Sequence, residues 1–127
     1  MHLEEDKSQG EYLIQRYDAN SVTVNDTIHR HSLIIGLNCL VPDWQPQNLN
    51  KLTEVDLQPI FDLKPQVVIL GTGNHFALPP KEIINAFHSR HIGFEFMDTR
   101  AACRTFVVLS AEGRNVVAAL IINPSKL

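Results

Sequence analysis

Two groups of residues have types and spacing that chemistry could use. The first is the turn Gly71-Thr72-Gly73, followed by Asn74, where the apolar run "QVVIL" stops. Paired glycines at a strand exit can turn backbone N–H groups toward a phosphate or a carboxylate. The second is Arg100 and Arg104, four residues apart just after Thr99 and so on one face of a helix. In a β-α-β unit the strand carboxyl ends and the following helix starts share one sheet edge, which is where open α/β folds bind ligands. The turn and the Thr99 helix start fall on that edge, and a helix start favours an exposed anion by about 0.3–1 kcal/mol. One reading is therefore a small-molecule enzyme or binder that holds an anionic ligand between the Gly71–Gly73 loop, Thr99 and Arg104.

The named nucleotide sites do not match. A Walker loop needs a Lys followed by Ser or Thr, and the residues after Gly73 are Asn74, His75, Phe76 and Ala77. A dinucleotide fingerprint needs a third small residue that opens a helix, but Phe76 stands there and Leu78-Pro79-Pro80 delays the helix. His29 with His31, and His88 with His91, are pairs that lack the further ligands of a closed metal site, so neither metal nor cofactor is expected. Cys103 or Thr72 with His75 could be drawn as a nucleophile and base, but nothing in the spacing joins them.

The arginine face is unusual for a plain solvated surface. Arg100 is a cation in a first helical turn, where the dipole disfavours it, and Val107 and Val108 put apolar surface beside the arginines. Ala102, Phe106 and Leu109 mark the opposite, core side. A face mixing arginine and valine fits a covered surface, supplied by the N-terminal strands or by a partner. A third reading makes Arg104 structural, tying those strands to the helix.

The elements that must position these groups follow from pattern. "EYLIQRYD", "SVTVND", "HSLIIGL" and "CLVPDW" read as an antiparallel N-terminal meander. In "TEVDLQPIFDL", Thr53 and Asp56 resemble a capping box, Leu57, Ile60 and Phe61 a stripe, and Pro59 means that the helix is either kinked or begins only at Pro59 with Gln58 ahead of it. Val67–Leu70 reads as a strand buried on both faces. "PPKEIINAFHSR" is an amphipathic helix with Ile83, Ile84 and Phe87 on its apolar side, "FEFM" a strand, and Asp98 or Thr99 caps a helix to about Glu112 with Gly113 beyond it. "NVVAALII" closes the chain before Pro124. The order from Gln66 is β-α-β-α-β, an α/β unit with a parallel sheet expected, and the meander added.

The bulk properties agree with a globular domain. The chain has 127 residues, 44% hydrophobic and 20% charged, which suits one domain over residues 1–127 with a flexible start at 1–11. A net charge of −3 disfavours nucleic-acid binding by bulk electrostatics. Three acids before residue 10 and no apolar leader exclude a signal peptide, and no run approaches the roughly 20 residues of a membrane helix, so a cytoplasmic location and no membrane insertion are expected. Cys39 and Cys103 read as reduced, buried thiols, and Trp44 as a core or loop filler.

"VVILGTG", "MDTRAACRTF" and "EGRNVVAALI" together resemble a small family of α/β proteins of unknown function. That family includes bacterial and archaeal members, the mitochondrial NADH:ubiquinone oxidoreductase (complex I) assembly factor 3 and an adipogenesis-associated protein. The similarity runs from about Tyr12 to Pro124. The resemblance implies a three-layer fold with a mixed central β-sheet flanked by helices, a β-rich N-terminal meander, and one strand of the sheet running antiparallel. The family's glycine turn falls on Gly71, Thr72 and Gly73, its helix-start pattern on Met97, Thr99, Ala102, Arg104 and Phe106, and its Gly-Arg turn on Gly113 and Arg114. Val107 departs from it, standing where similar chains carry a polar Asn, which suits an interaction surface better than a polar catalytic one. The leading expectation is a non-catalytic cytoplasmic domain acting through protein contacts, an assembly or accessory factor, with Gly71, Thr72, Gly73, Asn74, Thr99, Arg100 and Arg104 as its surface. An apolar sheet edge or the Val107 face would also support a weak homodimer.

Overall fold

The computed structural model describes residues 11–124. Of the expected flexible start, residues 1–10 lie outside that range; Glu11 is described, and its N–H donates to the Leu37 carbonyl at 2.7 Å. The first three strands, β1 (Ile14–Tyr17), β2 (Val22–Val24) and β3 (Thr27–His29), form an antiparallel sheet in that order. The β2–β3 turn is Asn25-Asp26, both at positive φ (46° and 73°), the conformation that matches the twist of a two-residue hairpin. The stretch "NDT", which lies between two of the expected strands, is therefore the tip of a hairpin.

The meander is shorter than the sequence suggests. β4 (Leu33–Ile35) and β5 (Leu40–Val41) leave it and join a five-stranded sheet with β6 (Val67–Gly71), β7 (Gly93–Met97) and β8 (Val116–Leu120), in the order β5-β4-β8-β6-β7. β6 pairs in parallel with both β7 and β8, whereas β4 pairs antiparallel with β8, Leu33 opposite Leu120. The sheet is thus mixed, as the family resemblance implies, and not the all-parallel one that β-α-β order alone suggests. The reason is that Leu33–Ile35, buried throughout, finds its apolar neighbours on β8.

Alternate residues of the central strands face two separate cores. Val68, Leu70, Val117, Ala119, Ile121 and Ile34 face one side, where α2 (Lys81–Ser89) brings Ile83, Ala86 and Phe87. The short α1 (Gln58–Phe61) completes that side with Ile60, and two 3-10 turns add Leu49 and Leu57. Ile69, Val116, Ala118, Leu120, Leu33 and Ile35 face the other side, against Ala102, Cys103 and Phe106 of α3 (Thr99–Ala111) and against Val22 and Val24 of the small sheet. Right-handed crossovers explain the two layers. The β6-α2-β7 connection steps outward and the β7-α3-β8 connection steps back across β6, so the helices land on opposite faces.

Local signals hold where they are strong. The Thr53 N–H donates to the Asp56 carboxylate at 2.9 Å, and α1 begins at Gln58 with Pro59 in its first turn. Asp98, rather than Thr99, caps α3 by accepting from the Ala101 N–H at 2.9 Å. Trp44 is buried and its indole N–H donates to the Asp56 carbonyl at 2.9 Å.

Candidate functional site

The turn after β6 is built around close approach. A Cβ on Gly71 would lie 2.7 Å from the Thr99 hydroxyl and 2.9 Å from the Thr99 Cα, so only glycine lets the first residue of α3 sit against the strand end. Gly73 has φ +112°, and a Cβ there would meet the Asn123 Oδ1 at 2.5 Å. Both glycines have structural reasons before any ligand is considered.

The backbone groups of this turn are spoken for. The Thr72 N–H donates to the Met97 carbonyl at 2.8 Å, the Gly73 N–H to the Thr99 hydroxyl at 2.9 Å, and the Asn74 N–H to the Asn123 Oδ1 at 2.8 Å. Thr99 in turn donates its hydroxyl proton to the Ile121 carbonyl at 2.6 Å and its N–H to the Gly73 carbonyl at 2.9 Å. The Asn123 amide also donates to the Gln47 carbonyl at 2.9 Å and the Asn48 Oδ1 at 3.2 Å. The ends of β6, β7 and β8 and the start of α3 are cross-tied by these bonds. Thr72 and Thr99 are 5% and 6% exposed. Three amides that could have faced an anion point instead at fixed internal acceptors, and an anion would have to displace them at the cost of stranding buried groups. A cleft of about 410 Å³ opens beside the turn, lined among others by Thr72, His75, Leu78 and Asn123.

The nucleophile pairings suggested by residue type are not formed. The Thr72 hydroxyl donates at 2.7 Å to the backbone carbonyl of His75 and not to its ring, which is exposed. Of the two cysteines expected to be buried, Cys39 is only partly covered, whereas Cys103 is fully buried, and burial pushes its thiol up to about 12. A thiol that stays protonated at neutral pH is a poor nucleophile. Among the described residues no cluster of three His, Cys, Asp or Glu could hold a metal ion.

Arg100 and Arg104 are exposed on the outer face of α3, with Val107 41% and Val108 53% exposed beside them. The small sheet does not cover this face. Its Val22 and Val24 pack in the core with Ala102, Cys103 and Phe106, on the inner side of α3. Arg104 stands five residues beyond Thr99, about 7.5 Å along the axis, and its side chain faces solvent. The turn and the two arginines are therefore close in the fold but different in kind: one is an internally bonded joint, the other an open surface. The roles of Asn123 and Thr99 as fasteners of the joint escaped sequence reasoning, which used only Pro124 as a strand stop and read Thr99 as a helix cap and part of a binding surface. The available signal was an Asx residue directly after the apolar run that ends at Ile122, whose side chain is short enough to bond neighbouring backbone.

Residues 14–121 match the model of a protein family of unknown function, DUF498/DUF598. The chain is 28% identical over 123 residues to a 13 kDa major membrane protein of Francisella tularensis subsp. holarctica, covering 95% of this chain and 99% of that one. It is 30% identical over 119 residues to the rat NADH dehydrogenase [ubiquinone] 1 alpha subcomplex assembly factor 3, covering 89% of this chain but only 62% of that protein's length. An NMR structure of a Xanthomonas campestris protein superposes with a TM-score of 0.84 at 31% identity, covering 100% of this chain and 96% of the other. The chain belongs to the DUF498/DUF598 family.

Proposed function

We propose that this member of the DUF498/DUF598 family is a non-catalytic accessory domain that works by holding another protein against the outer face of α3. The observation that carries the reading is the face itself: two exposed arginines with two exposed valines on one helix, left open by the rest of the described chain. Exposed apolar side chains that lie together and are rimmed by polar residues are a feature of protein–protein interaction sites. Arginine is also favoured at interfaces, where its planar fork pairs with carboxylates. The matching partner surface carries acidic residues next to apolar ones.

Similarity to assembly factor 3 of mitochondrial NADH dehydrogenase supports an assembly role. It does so by likeness over 62% of that protein, so the complex served by this chain is left to experiment. The location proposed is the cytoplasm; among the described residues no helix is long and apolar enough to cross a membrane. In this account residues 71–74 act as the rigid base that fixes α3, and residues 1–127 work as one domain. The anion-binding alternative loses support from the bonding of the Thr72, Gly73 and Asn74 amides, which removes the donors it relied on.

The test is affinity capture from the native cell at physiological salt with wild type and Arg104→Glu. A discrete protein held by wild type and lost on charge reversal is expected, with unchanged thermal stability of the variant. Retention of the same proteins by both forms contradicts the reading.

A further inference from the structure

β7 is the last strand of the central sheet, and its outer edge has no ladder partner among the described residues. The direction of its backbone groups follows from two bonds. The Gly93 N–H donates to the Gln66 carbonyl, and the Met97 carbonyl accepts from the Thr72 N–H, so Gly93, Glu95 and Met97 turn their backbone groups toward β6. In a parallel pair the intervening residues turn theirs away. The N–H and C=O groups of Phe94 and Phe96 therefore line the open edge, four hydrogen-bonding groups in a straight, extended strand.

The side chains along this edge are sorted by face. On the α2 face, Phe96 lies tilted at 38° against Phe94 with 5.6 Å between ring centres, and the loop residue Phe76, 60% exposed, stacks on Phe96 at 5.9 Å and 17°. The aromatic row thus ends in an exposed ring. On the α3 face stands Glu95, exposed, with Met97 beside it. The Thr105 hydroxyl donates to the Met97 sulfur at 3.3 Å, which sets that side of α3 over β7, and Val108, one turn further on the same side, is half exposed.

We propose that β7 is a docking edge for an extended segment of another protein, which adds as an antiparallel strand with the pattern apolar–basic–apolar. The apolar residues pair with Phe94 and Phe96, exchange hydrogen bonds with them, and pack on the aromatic row ending in Phe76. The basic residue lies opposite Glu95, in the non-hydrogen-bonded pair where side chains come closest. Its aliphatic stem rests on Val108. Strand addition of this kind takes affinity from main-chain bonds and specificity from alternate side chains. Glu95 also argues for a foreign strand over a second copy, because two β7 edges paired about Glu95 would set like charges directly opposite. This surface borders the arginine face of α3 at Val108 and extends from there to the β7 edge; it is tested by a variant at Glu95 and not at Arg104, so either surface can fail alone.

The experiment titrates the isotope-labelled full chain with a short synthetic peptide having a Val-Lys-Val core, and in parallel with Val-Glu-Val and Ser-Lys-Ser versions. The amide signals of Phe94 and Phe96 are expected to shift and to become protected from exchange, with Val-Lys-Val preferred by about fivefold over Val-Glu-Val. Glu95→Lys, on an exposed site, is expected to keep the fold and to reverse that preference. Equal binding of the Lys and Glu peptides, no change in preference in Glu95→Lys, or shifts confined to other strands would overturn the proposal. Protection of Phe94 and Phe96 that rises with protein concentration in the absence of peptide would place a second copy on the edge and overturn it equally.

Discussion

Thr99 has one hydroxyl and two partners. It accepts from the Gly73 N–H and donates to the Ile121 carbonyl, joining three segments distant in sequence inside a site only 6% exposed. Thr99→Val keeps the shape but strands both partners, at about 1–3 kcal/mol for each unsatisfied buried group. Urea denaturation should show a loss of that order, while Arg104→Ala, on an exposed site, should stay within about 0.5 kcal/mol. Equal losses in the two variants would contradict the division between joint and surface. Cys103 gives a second residue-scale expectation. Its thiol ionises near 9.0 when unfolded and at about 12 in the fold because burial disfavours the thiolate. The raised value means its contribution is complete below pH 9.0 and is lost as pH rises through about 12. Denaturation midpoints measured upward from about pH 9 should therefore fall more steeply for wild type than for Cys103→Ala; parallel slopes would show that Cys103 does not titrate this way.

The contact between β6 and α3 depends on the missing side chain at Gly71. Gly71→Ala sets a methyl at 2.7–2.9 Å from Thr99 and forces strand and helix apart, at about 1–3 kcal/mol for an overpacked core. A midpoint unchanged in urea would mean that α3 is not held there. The elements themselves were legible in proportion to how local their signals are. Ile83 and Phe87 recur at helical spacing and both are buried, and Asp98 precedes its helix with a carboxylate that does cap it. Leu33–Ile35 was readable as a strand but not as a member of the central sheet. A three-residue apolar run looks the same in a meander as against β8, and the Leu33 to Leu120 pairing that decides it spans most of the chain. Thr27–His29 was missed because its identity depends on Asn25 and Asp26 both taking positive φ, a turn geometry that two polar letters allow but do not require.

At the scale of the molecule, two cores on opposite faces of one mixed sheet leave the carboxyl-end edge as a joint and the outer face of α3 as open surface. The sequence located the turn correctly and left its role undecided. Asn74 meets Asn123 across 49 residues, so whether its amide is free or bonded is a tertiary fact that no local pattern carries. The arginine and valine face was legible because helical spacing alone puts Arg100, Arg104, Val107 and Val108 on one side. We propose that this chain acts through that face and not through the turn. The most direct measurement is photo-crosslinking in the native cell, with a photoreactive residue replacing Val107, Asn74 or, as a control on the outer face of α2, Glu82. A single discrete protein adduct at position 107, absent at 82 and weak or absent at 74, is the predicted result. An adduct only at position 74, or none at 107, would contradict it.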